Sequence, residues 1–174
     1  MPEEITHNAI VEAVRLATED VFATMLSLPV KCGDARQTPK ELESFDGVIA
    51  VVGIGGHWTG TGRISLTPQL ACKLAGALVG CSFDAVNEEV LDAVAEVSNM
   101  IVGNVKTFFE EQLGPLGLSV PTVIFGRNYR TRSAGVTNWS VIPFFTGSEE
   151  MEVHFCLMPT KQAHPVHREV LQTA

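Results

Sequence analysis

Glu96 and Asn99 stand three residues apart in the run LDAVAEVSNMIVGNVK, a separation that puts both side chains on one face of a helix. A carboxamide accepts through its oxygen and donates through its nitrogen, so Asn99 can hold a water and a phosphoryl oxygen together. The Glu96 carboxylate can pair with a partner's cation. Neither group is a strong nucleophile, and the pair reads as a positioning device. Asp92 precedes Glu96 by one helical turn, but two carboxylates on one helix face do not oppose each other across a cleft, as sugar hydrolysis requires. Gly103 continues the same face. A glycine inside a helix costs roughly 0.5–1 kcal/mol relative to alanine, and either an approaching partner backbone or packing within the chain would explain it.

The element that carries these residues is a long helix expected over Val86–Leu113. Leu91, Val94, Ala95, Val97, Ile101, Val105, Phe108 and Phe109 continue its apolar pattern, and no proline interrupts it. At about 100° per residue, Asp92, Glu96, Asn99, Gly103 and Lys106 fall within a sector of roughly 80°. A narrow polar stripe on so apolar a helix is either its ordinary wet side or a surface that meets something else. Lys106 can join the acidic residues in an ion-pair network that need carry no activity.

Other constellations are weaker. GIGGHWTGTG lacks the G-K-[ST] ending of a nucleotide-binding loop and the strand-to-helix setting of a dinucleotide fingerprint, so its glycines point to turns, a bulge or close approach of the preceding helix. His57 and Trp58 read as satisfied loop residues, and His7 as a bystander. His164 and His167 lack a third ligand. Ser133 and Ser140 sit in no nucleophile elbow. Cys32, Cys72, Cys81 and Cys156 form no C-x-x-C pair and read as reduced, small buried hydrophobes. With 12 basic against 20 acidic residues the net charge is −8, and the short Arg127, Arg130, Arg132 cluster does not overcome it, so neither nucleic acid nor membrane is expected as partner. No apolar run approaches a membrane span and no leader pattern opens the chain, which makes the cytoplasm the expected compartment.

In chain order, Ile5, Ala9, Ile10, Val14, Ala17, Val21 and Met25 mark a first helix from Pro2 to about Leu28, with Pro2, Glu3 and Glu4 in its first turn and Pro29 as its stop. Lys31 to Ser44 reads as an irregular or edge segment. VIAVVGIGG and TGTGRISL form a hairpin. Thr67-Pro68 starts a short helix that ends near Gly80, and Asp84 or Asn87 caps the long one. SVPTVIFG, GVTNWSVIPFF and MEVHFCLMP read as three strands, with Pro121 at the start of the first and Pro143 marking a bulge or an edge in the second. Helix, strands, two helices, strands fits an α/β protein of α+β type, long helices packed on a mostly antiparallel sheet, better than repeated βαβ units.

The run LDAVAEVSNMIVGNVK, with Asp92, Glu96, Asn99 and then Pro121 after the helix, resembles the signature helix of the CheC/CheX/FliY response-regulator phosphatases. The single copy and the NMIVGN string are more similar to the CheX branch than to CheC. The likeness spans about residues 4–158, implying a CheC-like/CheX-like fold, a single domain over residues 1–158, and a tail or extra contact over 159–174. It implies a phosphatase that accelerates hydrolysis of the aspartyl phosphate of a CheY-like receiver domain. On that likeness Asn99 orients the attacking water and Glu96 engages the receiver's lysine, while Asp92, Gly103 and Pro121 support docking. It implies no cofactor on this chain, Mg2+ in the receiver, and a homodimer formed through the sheets. A non-catalytic receiver-binding adaptor and a flagellar-motor-related structural module are the alternatives.

Overall fold

The computed structural model describes residues 4–39, 44–132 and 138–160. Thr6 is extended and its hydroxyl accepts from the Ala9 N–H, so α1 (His7–Val21) begins there rather than in the first turn expected around Pro2. Glu4 therefore precedes the helix, and residues 1–3 lie outside the described residues. One π-type turn, Phe22–Leu26, continues α1 and stops at Ser27, which is left-handed at φ 51°.

Eight strands follow among the described residues: β1 (Lys31–Cys32), β2 (Arg36–Thr38), β3 (Phe45–Gly56), β4 (Trp58–Leu66), β5 (Leu116–Leu118), β6 (Thr122–Tyr129), β7 (Trp139–Thr146) and β8 (Glu149–Pro159). They form one sheet in the order β1-β7-β8-β4-β3-β5, with β2 also on β7 and β6 also on β3, and every pair is antiparallel. The expected hairpin is β3–β4, turning at His57. Trp58 is not a loop residue: it opens β4 and is buried in the core.

Pro143 lies on no bare edge, but it does mark a bulge, since Gly33, Asp34 and Ala35 face only Ile142 and Pro143. Strand β7 has β8 on one side and two short strands on the other, and Pro143 sits at the gap between β1 and β2, where its carbonyl accepts from Gly33 N–H at 2.8 Å. The other expected edge segment, from Lys31, is β1 and β2 themselves.

Alternate residues of the long strands point to the helices: Val48, Ala50, Val52 and Ile54 of β3, Ile64 and Leu66 of β4, and Met151, Val153 and Phe155 of β8 all belong to the main core. Helix α2 (Pro68–Val79) adds Leu70, Ala71, Leu74 and Ala75. Thr67 caps its start and left-handed Gly80 its end, as expected from the sequence. Helix α3 (Glu88–Leu113) is capped by Asn87, not Asp84, and adds Val90, Val94, Val97, Ile101, Val105 and Phe109. Burying side chains of this kind contributes on the order of 1.5–3 kcal/mol each, so α3 is anchored along its length. Gly62 of β4 is the point of closest approach: a Cβ there would overlap Val102 Cγ2 of α3. The glycine-rich hairpin thus accommodates α3, which follows it in the chain, rather than the preceding helix.

The reverse face of the sheet carries Trp139, Val141 and Cys156 as a second buried cluster. The Arg63 guanidinium lies 4.9 Å from the centre of the Trp139 ring, and His154 Nε2 lies 3.0 Å from Glu152. Glu152 also accepts from Arg36 at 2.7 Å. No disulfide joins the four cysteines, and only Cys156 is buried; Cys32 and Cys72 are half-buried and Cys81 is exposed, contrary to the expectation of four buried thiols. His7 is not a bystander, because its Nδ1 is 2.8 Å from Ser140 Oγ and ties α1 to β7.

Candidate functional site

Helix α3 turns Val90, Val94, Val97, Ile101, Val105 and Phe109 into the core and leaves the opposite face outward. Asp92, Glu96 and Asn99 are exposed on that face, and Gly103 and Lys106 follow them half-buried. The five residues predicted to share a stripe do share one. Among the described residues, Asp92, Glu96 and Asn99 make no hydrogen bond or ion pair, so their polar atoms are committed to nothing within the fold. The carboxylate and the carboxamide are presented ready for an external group.

Lys106 behaves differently. Its ammonium is 2.7 Å from Glu110, whose carboxylate also accepts from Leu116 N–H at 2.9 Å. Both partners hold the Glu110 carboxyl below its ordinary range, Lys106 more than the backbone donor. The pair therefore ties the end of α3 to the start of β5, so the expected ion-pair network shrinks to one structural link away from Glu96 and Asn99.

Strand β5 was not anticipated from the sequence, and it fixes the flank of the stripe. Leu118 pairs with Ile54 and Thr122 pairs with Val51, with Ser119 N–H donating to Gly53. Two residues of β3, Val52 and Gly53, thus face three of the edge strand, Ser119, Val120 and Pro121. This is a β-bulge, and Pro121 lies in it immediately before β6 rather than within the strand. Gly103 meets this flank: a Cβ on Gly103 would lie 3.6 Å from Leu118 Cδ1, an ordinary contact. Packing within the chain therefore does not require a glycine at 103.

The stripe is a convex helix face, not a cavity. A groove of about 640 Å³ lies between α1 and the C-terminal half of α3, where Leu16, Asp20, Asn104 and Phe108 line it. It is displaced about a third of a turn around α3 from Glu96 and Asn99, which do not line it. Among the described residues no group of three or more His, Cys, Asp or Glu side chains could hold a metal ion. His164, His167 and Ser133 lie outside the described residues.

The family model for chemotaxis phosphatase CheX matches residues 48–145, from near the start of β3 through α3 and most of β7. The chain belongs to the CheX family. CheY-P phosphatase CheX of Thermotoga maritima is 27% identical over 148 residues, 84% of this chain and 92% of that relative. The crystal structure of chemotaxis protein CheX from Desulfovibrio desulfuricans is 31% identical and superposes with a TM-score of 0.75, covering 85% of this chain and 98% of that one. The CheX–CheY–BeF3–Mg2+ complex from Borrelia burgdorferi, at 22% identity, covers 86% of this chain and 97% of that one with a TM-score of 0.70, a likeness of fold. The expected α+β fold with helices on an antiparallel sheet is thus the CheX fold. No helix among the described residues is long and apolar enough to cross a membrane.

Proposed function

We propose that this chain is a cytoplasmic phosphatase that accelerates hydrolysis of the aspartyl phosphate on a CheY-like receiver domain. The observation that carries this is the exposed, uncommitted Glu96–Asn99 pair on the outward face of a helix anchored in a CheX fold. An acyl phosphate is already reactive, and the receiver's own Mg2+ neutralises charge on the phosphoryl group. What remains for a second protein is alignment of the water. Asn99, held on a rigid helix, accepts from that water and donates to the phosphoryl group. The water oxygen bonds to phosphorus as the bond to the aspartyl oxygen breaks, releasing inorganic phosphate and the free carboxylate.

Glu96 pairs with the receiver's active-site lysine, an interaction strengthened as docking excludes water. Asp92, Gly103 and Pro121 shape the docking face: Asp92 extends its charge, Gly103 keeps the helix surface low, and Pro121 sits in the bulge beside it. A convex face suits a partner that brings its own active-site cleft, and relatives have such a partner in CheY: the Borrelia burgdorferi CheX–CheY–BeF3–Mg2+ complex and the CheY-P phosphatase CheX of Thermotoga maritima. Strand β6 pairs with β3 on one side, and its exposed Ile124 and Phe125 suit the homodimer that we include in the proposal. The phosphatase domain is proposed over residues 1–158; of the expected tail, Pro159 ends β8 and Thr160 N–H donates to the His57 carbonyl at 3.0 Å, while residues 161–174 lie outside the described residues.

The test is phosphate release from a panel of Mg2+-loaded, phosphorylated CheY-type receivers, against receiver autodephosphorylation. The parent accelerates release. Asn99→Ala loses most of the acceleration while melting within about 0.5 kcal/mol of the parent, as exposed substitutions do. Glu96→Ala weakens docking and turnover together. Binding without acceleration by the parent would instead identify a receiver-binding adaptor.

A further inference from the structure

Val120 is 86% exposed, well beyond Val79 at 55%, the next most exposed large apolar side chain among the described residues. Its position is built rather than frayed. Ser119 Oγ accepts from Gly53 N–H at 2.8 Å and donates to the Val120 carbonyl at 3.1 Å, while Ser119 N–H donates to the Gly53 carbonyl at 2.9 Å. Pro121 then restricts the backbone on the other side. Val120 is the middle of the three residues that face Val52 and Gly53, and bulges of this kind re-aim side chains beside functional sites.

Helix α3 packs against both β5 and β6, so the bulge between them lies alongside the middle of α3, next to the turn of Gly103, whose neighbour is Leu118. An apolar, β-branched side chain held out by a braced backbone loses little conformational freedom on docking. On the flank of the helix that carries the uncommitted carboxylate and carboxamide it has a second effect. It keeps water away from the polar contacts, as the near-neutral rim of an interface does around its charged centre.

We infer that Val120 is a specificity-determining contact for the receiver, meeting an apolar patch that flanks the receiver's phosphorylation site. This contact exists only if the chain is the receiver phosphatase proposed above. It sets how tightly the phosphorylated receiver is held, not how the water is aligned.

The test is steady-state phosphate release from a CheY-type receiver kept phosphorylated by acetyl phosphate and Mg2+, comparing the parent with Val120→Asp, Val120→Ser and Val120→Ile. Loss of an apolar contact of this size corresponds to about a tenfold rise in KM for Val120→Asp. Its kcat stays within about twofold of the parent, and its melting temperature is unchanged, as expected for an exposed position. Val120→Ser moves KM in the same direction, and Val120→Ile restores it. Asn99→Ala, run alongside, lowers kcat. Parent KM in both Val120→Asp and Val120→Ser, with the parent protein active, overturns this contact and leaves the phosphatase intact. A parent that fails to accelerate release from any receiver overturns both.

Discussion

Replacing Gly103 with alanine sets two effects of opposite sign against each other. Within the chain the change is favourable. A mid-helix glycine costs about 0.5–1 kcal/mol relative to alanine. The new methyl would sit 3.6 Å from Leu118 Cδ1, a normal van der Waals distance that displaces nothing. For a domain of this size a gain near 1 kcal/mol raises the melting temperature by about 2–4 °C. Toward the receiver the change is unfavourable, because the methyl rises from the same face as Asn99, one turn further along α3. If the partner's backbone comes down onto Gly103, the docked receiver must back away, and a misplacement of about 1 Å at the reacting centre can cost on the order of 100-fold in rate. Thermal melting and receiver dephosphorylation, measured on the same preparation, separate the two. The expected variant is more stable and less active. A lower melting temperature would show that the fold itself needs glycine there. A stabilised variant that dephosphorylates the receiver at the parent rate would refute close approach at this turn.

Gly62→Ala should destabilise the fold by about 1–3 kcal/mol, since its Cβ overlaps Val102. Adding Val102→Ala should recover part of the loss in urea unfolding, and a parent-like midpoint for the single variant would disprove the tight contact. The Glu152 carboxyl is pulled down to about 2 chiefly by its hydrogen bond to His154 and also by Arg36, against a burial effect that raises it. A depressed carboxylate stabilises the fold above its ordinary value near 4.5, and that contribution is lost as pH falls from about 4.5 toward 2. Glu152→Gln should therefore be less stable than the parent at pH 7 and converge on it in acid. A stability difference that does not change with pH would rule out the linkage.

Much of this structure was legible because its signals are local. Thr67, Pro68 and Gly80 bound α2 through their own hydrogen bonds and backbone angles, and the apolar period of α3 fixes which residues share its outward face. Glu96 and Asn99 were therefore placed together without knowledge of the sheet. The start of α1 was misplaced because Pro2 and Thr6 both carry start signals, and only the Thr6–Ala9 hydrogen bond distinguishes them. What eluded the sequence is set by distant partners. Strand β5 has three residues, one of them glycine, and is a strand only because β3 lies beside it. The meaning of Pro143 depends on two short strands more than a hundred residues away, and the surroundings of Gly103 depend on Leu118 beyond the helix end. The link from His7 to Ser140 had no sequence signal at all.

One long strand, β3, holds β4 on one side and both β5 and β6 on the other, with α3 packed above it. Everything proposed to touch the receiver then falls in one uninterrupted stretch, from Glu88 to Thr122, while β4, β7, β8 and α1 close the core from elsewhere in the chain. Partner choice and foldedness are thereby written on opposite faces of the same helix, because Val90, Val94, Val97, Ile101, Val105 and Phe109 hold the core from within that stretch. Drift confined to its outward positions can redirect the protein to another receiver while the inward positions keep the architecture that supports it.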